Sequence, residues 1–434
     1  MHQRLKYVVQ PRFPTVPINQ ALLRRIPPVF VTATHINSAW KPRGRISFSI
    51  TDIPRMKYLP VLLLLFALNA MSQKAVEKTF GGQRFDRSLF INHTSDKGYI
   101  ICGYSNSFSS SHDIYVVKLD SRGSVQWEKT FGGGRTDVGW AATELKEGGY
   151  LLMGGVGIDS TNDDIYLARL DAHGNKLWEK TYGNNLYERA TQLLPTSDGY
   201  YVLIGQRNII PGKNIDSYIL KIDKEGNVLW EKTFGSAVVE RTFYAVETPG
   251  GELLVSGLIL PYQHAKADIY MLKLSSQGEM IWSKTYGEEN VHDIAHSFCM
   301  NDDKKTYTLT GYIESSKEGF HDALFMQIDE NGNLLIKERH STGEDLRLMH
   351  AEPVPDGFIV TGYARRDIQQ NLHDAVLLKY DRTGKVKWLQ TFGTPDKDDQ
   401  GYWIVPNADG SCTLVGYTHS KGTNGDVWLI TYYQ

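Results

Sequence analysis

The chain has 434 residues, 41% of them hydrophobic and 22% charged, a composition that suits a folded domain with a sizeable core and excludes wholesale disorder. Its net charge of −2 is unevenly spread: residues 1–55 carry nine Lys or Arg against the single acid Asp52, leaving 38 basic and 48 acidic residues on 56–434. A globular part near −10 argues against a nucleic-acid backbone as partner.

Residues 1–55 show no sustained apolar period, and prolines at 11, 14, 17, 27, 28, 42 and 54 interrupt any helix or central strand, so they read as an unstructured upstream extension. A three-part pattern follows at 56–72. Met56-Lys57 gives a basic start, Leu59–Ala70 an apolar run, and Ala70 and Ser72 supply small residues at the −3 and −1 positions before Gln73. That is the form of a secretory signal peptide, and a run of twelve is too short to span a bilayer as a helix. It predicts Met56 as the initiator, 1–55 as an upstream reading artefact, and a mature chain of 73–434 that is secreted, periplasmic or on the cell surface, without a membrane span after cleavage. An Arg-rich organelle leader is the competing reading. No Cys follows the apolar run, which argues against a bacterial lipid anchor. Cys102, Cys299 and Cys412 are too sparse for a disulfide framework or a zinc motif and read as small buried apolar residues.

From residue 76 one motif recurs about every fifty-two residues: VEKTFG at 76–81, WEKTFG at 127–132, WEKTYG at 178–183, WEKTFG at 230–235, WSKTYG at 282–287, the degenerate IKERHS at 336–341 and WLQTFG at 388–393. Between copies lie four short runs rich in Val, Ile, Leu, Tyr and Phe, separated by turn residues. In the third unit these are 190–194, 200–205, 217–222 and 228–234. Such runs read as a four-stranded antiparallel meander, and a repeat of this length as a β-propeller blade. D-x-x-G turns recur at 120–123, 171–174, 223–226, 329–332 and 381–384, with SSQG at 275–278. An Asp opens each third strand, at 113, 164, 216, 268, 322, 374 and 426, and reads as a hydrogen-bond acceptor for loop amides. A Gly recurs near the end of each second strand, at 103, 155, 205, 257, 311, 362 and 416, marking a bulge or close backbone approach.

Seven sets of first to third strands are present, and the chain ends directly after the seventh third strand at 426–434. The predicted fold is therefore all-β: a seven-bladed β-propeller of four-stranded antiparallel blades, closed by the N-terminal strand Val76–Phe80 joining the C-terminal blade. The motif becomes the outer strand of one blade and the lead into the next, with its Trp docked on a neighbour.

The pattern D-x-x-G-x-x-x-W-x-K-T-F-G, then D-G-G-Y, then D-I-Y-x-x-K-L-D resembles the repeats of bacterial and archaeal secreted or surface β-propeller proteins over 76–434. The resemblance implies a propeller and an envelope or extracellular location, with no single shared activity. The D-x-x-G-x-x-x-W stretches at 120–127 and 171–178 are also similar to the Trp-docking repeats of quinoprotein dehydrogenases. Those resemble an eight-bladed ring with adjacent cysteines beside the quinone, so seven units without adjacent Cys do not carry the cofactor over.

In such a blade the fourth-to-first and second-to-third connections share one face. Here that face carries the irregular loops 206–215, 259–267, 313–321 and 365–373, the usual place for binding. An acid stands at the entry to the innermost strand: Asp86, Asp137, Glu188, Glu240 and Asp399, with Asp293 and Asp345 about one residue out of register. The repeat predicts a ring of carboxylates around the channel mouth. Arg87, Arg189 and Arg241 directly follow three of the acids, which suits inter-blade salt bridges and loop capping; the alternative is a cation-binding ring, for which Ca²⁺ is the candidate. Trp140, Phe243, Tyr402 and Trp403 approach the same mouth, either to stack on a sugar or to fill the axis. His112, His264, His321 and His373 lie in second-to-third loops without metal-ligand spacing. No nucleophile elbow, phosphate loop or dinucleotide fingerprint occurs in a suitable context. The sequence thus points to a binding or scaffolding module for an extracellular glycan, peptide or partner protein, without a catalytic motif. The alternative is a carbohydrate-active hydrolase or lyase using the channel-mouth carboxylates.

Overall fold

A computed structural model describes residues 74–433 apart from 134, 158–161, 185, 209–214, 261–265, 368, 371 and 422–423. The chain divides into Met1–Ala70 and Met71–Gln434. The expected upstream extension and the expected signal peptide lie outside the described residues, as do His264 and parts of three of the four irregular loops.

Met71–Gln434 is a seven-bladed β-propeller: seven four-stranded antiparallel sheets arranged about an axis, with no helix among the described residues. In the first blade the strands are Asp86–His93, Tyr99–Ser105, Asp113–Leu119 and Val125–Phe131, paired in chain order. The seventh runs Asp399–Pro406, Cys412–Thr418 and Asp426–Tyr433, and its outer strand is Lys74–Phe80, in register from Lys74 opposite Tyr433 to Phe80 opposite Val427. Each blade packs on the next, and the innermost strand of the first packs on the seventh.

Middle strands are buried on both faces, so they read as near-continuous apolar runs such as YIICGYS and DAVLLKY, whereas the outer strands alternate exposed and half-buried residues. The three cysteines are unpaired and buried among these strands.

The repeated motif supplies the joints between blades. Trp127 donates its indole N–H to the Ala172 carbonyl, 3.0 Å away in the next blade's D-x-x-G turn, and its ring lies over Gly174. Trp178, Trp230 and Trp282 cover Gly226, Gly278 and Gly332 in the same way. These glycines adopt φ of +71° to +78°, and a Cβ on any of them would stand 3.0 Å or less from the covering indole or a neighbouring tyrosine hydroxyl. The motif's Lys reaches the same neighbouring turn, from Lys232 to Glu279 at 2.7 Å and from Lys284 to the Asn331 carbonyl at 2.6 Å. Its Glu accepts from a third-strand tyrosine of its own blade, as Glu179 does from Tyr166 at 2.7 Å.

Candidate functional site

Every innermost strand carries a β-bulge at one position, between Ser88 and Phe90 in the first blade and at the equivalent place in the other six. The bulge leaves one residue per blade out of the ladder: Leu89, Trp140, Thr191, Phe243, His296, Met349 and Tyr402. A bulge re-aims the side chain it displaces. All seven line one cavity of about 720 Å³ at the axis, a size typical of small-molecule pockets.

The recurrent second-strand glycine makes these bulges sterically tolerable. A Cβ on Gly257 would lie 1.8 Å from the Arg241 carbonyl oxygen, and Gly103, Gly205, Gly311, Gly362 and Gly416 are equally crowded. In the second blade Gly154 holds this position, opposite Gly139. Gly155, the residue expected from the repeat, has nothing closer than 3.8 Å to a Cβ.

Below the bulge residues, Trp403 stacks on His350 with centroids 3.7 Å apart and packs near Tyr244 and Phe90 at 5.7 and 4.7 Å, forming an aromatic floor. Burial holds the His350 imidazole down at about 3 and that of His296 at about 4, the latter aided by Arg347, so both are neutral at physiological pH. Above them, Arg87, Arg189 and Arg241 line the mouth. Arg189 lies 3.9 Å over the Trp140 ring and Arg87 lies 4.3 Å over the Tyr402 ring. Phe243 is stacked on His296 at 5.7 Å. Each of the four aromatic residues offered as sugar platforms or axis fillers, Trp140, Phe243, Tyr402 and Trp403, therefore has one face engaged by the protein, and the guanidiniums on Trp140 and Tyr402 front the cavity.

The acids expected to ring the mouth are all in the described residues but do not line this cavity. Asp86, Asp137, Glu188, Glu240 and Asp399 are at most 3% exposed, and they accept hydrogen bonds from the loops beside them. Asp86 takes the Gly82 amide at 2.8 Å and Ser107 Oγ at 2.8 Å; Asp137 takes the Gly133 and Gly157 amides at 2.9 and 3.0 Å. Glu188 takes Arg207 at 3.0 Å, Glu240 takes Ser236 Oγ at 2.5 Å, and Asp399 takes Thr418 Oγ1 and the amides of Thr394 and His419. Arg87, Arg189 and Arg241 form no ion pair with them. Asp293 stands in full register, with Ala295 opposite Gly311 just as Ser88 is opposite Gly103, whereas Asp345 is one residue early.

A second set of carboxylates lies beside the first. The Asp that opens a third strand faces the acid of the next blade, Asp113 with Asp137 and Asp164 with Glu188, and the motif's last Gly threads between them. A Cβ on Gly132 would stand 2.2 Å from Asp137 Oδ2 and 3.2 Å from Asp113 Oδ1. Burial first, and the neighbouring carboxylate second, push Asp164 up to about 6 and Asp216 above the usual carboxylate range. Where the motif degenerates, Ser341 replaces this Gly and the pairing is replaced too: Asp322 pairs with Arg339 at 2.6 Å, and Asp345 with His321 at 2.8 Å and Arg365 at 2.6 Å. Among the described residues no group of three or more His, Cys, Asp or Glu is placed to hold a metal ion. His112 lines the cavity, while His373 is spent on Asp398 at 2.6 Å.

Comparison with protein families and with curated proteins finds no match to this chain. Solved structures do match. A polysaccharide lyase aligns over 82% of this chain and 90% of its own at 9% identity and a TM-score of 0.50. An α-L-arabinanase of Penicillium chrysogenum in complex with arabinobiose aligns over 68% and 92% at 12% identity and a TM-score of 0.46. A protein of unknown function from Dyadobacter fermentans aligns over 67% and 93% at 13% identity and a TM-score of 0.44. The likeness is one of fold alone.

A larger hollow of about 1090 Å³ opens among the turns of the opposite face, beside Lys78, Gly123, Pro353 and Asn407. Its polar groups are largely spent on turn and joint contacts, such as Lys78 on the Gly123 carbonyl at 3.0 Å and Asn407 on Tyr99 at 2.8 Å. The axial cavity, by contrast, collects the one side chain that each innermost strand leaves out of its ladder, together with arginines that lack acidic partners among the described residues.

Proposed function

We propose that this chain is a secreted binding module whose ligand, an extracellular glycan, enters the axial cavity at the face that carries the irregular loops. One observation carries the reading: the seven inner-strand bulges deliver seven side chains, aliphatic, aromatic, hydroxyl and imidazole among them, to a single cup. Diverse side chains on a rigid frame are what selective recognition requires. The secretory pattern at 56–72 supports an extracellular setting.

A thermal-shift screen of the full chain against neutral and acidic polysaccharides, peptides and divalent ions tests it. A cavity ligand raises the melting temperature of the wild type and loses that effect in Trp140→Ala and Phe243→Ala. A ligand that stabilises both variants as strongly as the wild type binds elsewhere and overturns the assignment.

The alternative, a glycan-cleaving hydrolase or lyase, draws support from burial raising the carboxyls of Asp137 and Glu188, as a general acid requires. Both side chains are nevertheless covered and committed to loop amides or Arg207. Turnover of any polysaccharide that disappears in Asp137→Asn or Glu188→Gln would establish the enzyme in place of the module.

A further inference from the structure

Three arginines at the cavity mouth lack, among the described residues, the counter-charge that five other arginines of this face possess. Arg207 is paired with Glu188, Arg339 with Asp322, Arg347 and Arg365 with Asp345, and Arg366 with Asp374, at 2.6 to 3.4 Å. Arg87, Arg189 and Arg241 have no acidic partner among the described residues, and the Nε of each is buried without a hydrogen-bond partner. Their remaining contacts are weak. Arg87 donates to Tyr104 Oη at 3.2 Å and Arg189 to Tyr187 Oη at 3.3 Å, and aromatic faces support both guanidiniums.

Each of the three is half-buried with its Nε shut off without a partner, and a cation–π contact returns only part of what burying that polar group costs. Among the described residues no carboxylate lines the cavity, so a globular part with an excess of acids presents a cationic mouth at its axis. Arginine's planar fork fits carboxylate and sulfate oxygens in pairs, and a pre-oriented fork loses little on binding. Between the arginines stand neutral hydrogen-bonding groups, Thr191, Gln206 and Tyr104. Alternation of cations with neutral donors and acceptors matches a ring bearing both an acid group and hydroxyls better than it matches an acidic peptide, whose carboxylates end apolar stems.

We infer that the cavity takes an acidic glycan, whose uronate or sulfate groups are bound by Arg87, Arg189 and Arg241. This rests on the binding-module reading and narrows it to one ligand class.

The experiment is calorimetric titration of the full chain at low and moderate salt with four probes: an oligogalacturonate, the same oligosaccharide with its carboxyls reduced to alcohols, a heparin oligosaccharide and a polyglutamate peptide. The oligogalacturonate or the heparin fragment is expected to bind at least tenfold more tightly than the reduced sugar, and which of the two prevails identifies the acid group. Arg189→Gln and Arg241→Gln each weaken that binding about tenfold, with Arg→Lys intermediate, and leave the melting temperature of the free protein unchanged or higher, because neither arginine completes an ion pair. Equal binding of the acidic and reduced sugars overturns the inference while leaving a glycan-binding module standing. Polyglutamate binding more tightly than both acidic sugars overturns it in favour of a peptide ligand. Heat from none of the four overturns the inference and the glycan-binding reading together.

Discussion

Seven glycines opposite the bulges show how a single missing Cβ shapes the site. At Gly257 a methyl group would overlap the Arg241 carbonyl, and no side chain can move aside because the obstruction is backbone. Gly257→Ala is therefore expected to lower unfolding free energy by about 2 to 4 kcal/mol in urea denaturation, with Gly154→Ala similar. Gly155→Ala, where the nearest atom is 3.8 Å away, is expected to be close to neutral. Equal costs at Gly154 and Gly155 would contradict the register assigned to the second blade. At this scale the sequence is informative about necessity and silent about partnership. The glycine repeat reveals the bulges, and the aromatic residues at 140, 243 and 402 are legible as channel residues. Arg189 and Arg347 occupy the same strand position, and what separates them is the acid before them: Asp345, one residue early, turns to Arg347 at 3.4 Å, whereas Glu188, directly before Arg189, is taken by Arg207. For the acids, spacing cannot distinguish a carboxylate facing the axis from one folded back onto loop amides, as Asp86 and Asp137 are.

The repeated hexapeptide acts at the level of the element, joining each outer strand to the following blade. Trp178→Ala removes the cover over Gly226 and is expected to cost about 2 to 3 kcal/mol, less than a fully buried Trp because the ring is half-exposed. The carboxylate pairs at the same joints set a pH dependence opposite to the usual acid lability. Asp164, with its folded pKa raised to about 6, binds a proton more tightly folded than unfolded, so its favourable contribution is complete below about 4 and is lost as pH rises through 6. Asp216 shifts in the same direction. Asp345 and Asp381, held down at about 2, oppose this only in strong acid, where their contribution is lost as pH falls toward 2. The buried neutral imidazoles of His296 and His350 act in the opposite sense over the same range, losing stability as pH falls below about 6.5, so the test is a difference. The melting temperature of the wild type relative to Asp164→Asn is expected to increase from pH 7 to pH 5, and a difference that does not change with pH would remove Asp164 from the account. The degenerate copy at 336–341 was legible from spacing, but its consequence was not. Losing the last glycine to Ser341 coincides with a one-residue offset of Asp345 and with arginines in place of the second carboxylate.

For the whole molecule the governing feature is that the seventh blade is assembled from both ends of the domain, Lys74–Phe80 beside Asp426–Tyr433. Deleting 74–80 exposes the unpaired edge of Asp426–Tyr433, including Trp428, which is buried, whereas deleting 1–73 leaves every described strand intact. The first truncation is expected to lower the melting temperature far more than the second, and equal values would show that the strand is dispensable. Blade number and strand order were readable because the repeat is long, regular and punctuated by D-x-x-G turns, each of which forces a hairpin independently of the others.

The bulge also separates two kinds of selection. A side chain outside the hydrogen-bond ladder can be exchanged without disturbing the register of its strand, so the seven bulge positions form an alphabet that varies while the wheel stays constant. Leu89, Trp140, Thr191, Phe243, His296, Met349 and Tyr402 span aliphatic, aromatic, hydroxyl and imidazole chemistry, although the glycines facing their strands are nearly invariant from blade to blade. A library randomised at these positions alone should retain folding in most members while redirecting what the cup accepts, making the axis a natural place to reprogram this protein.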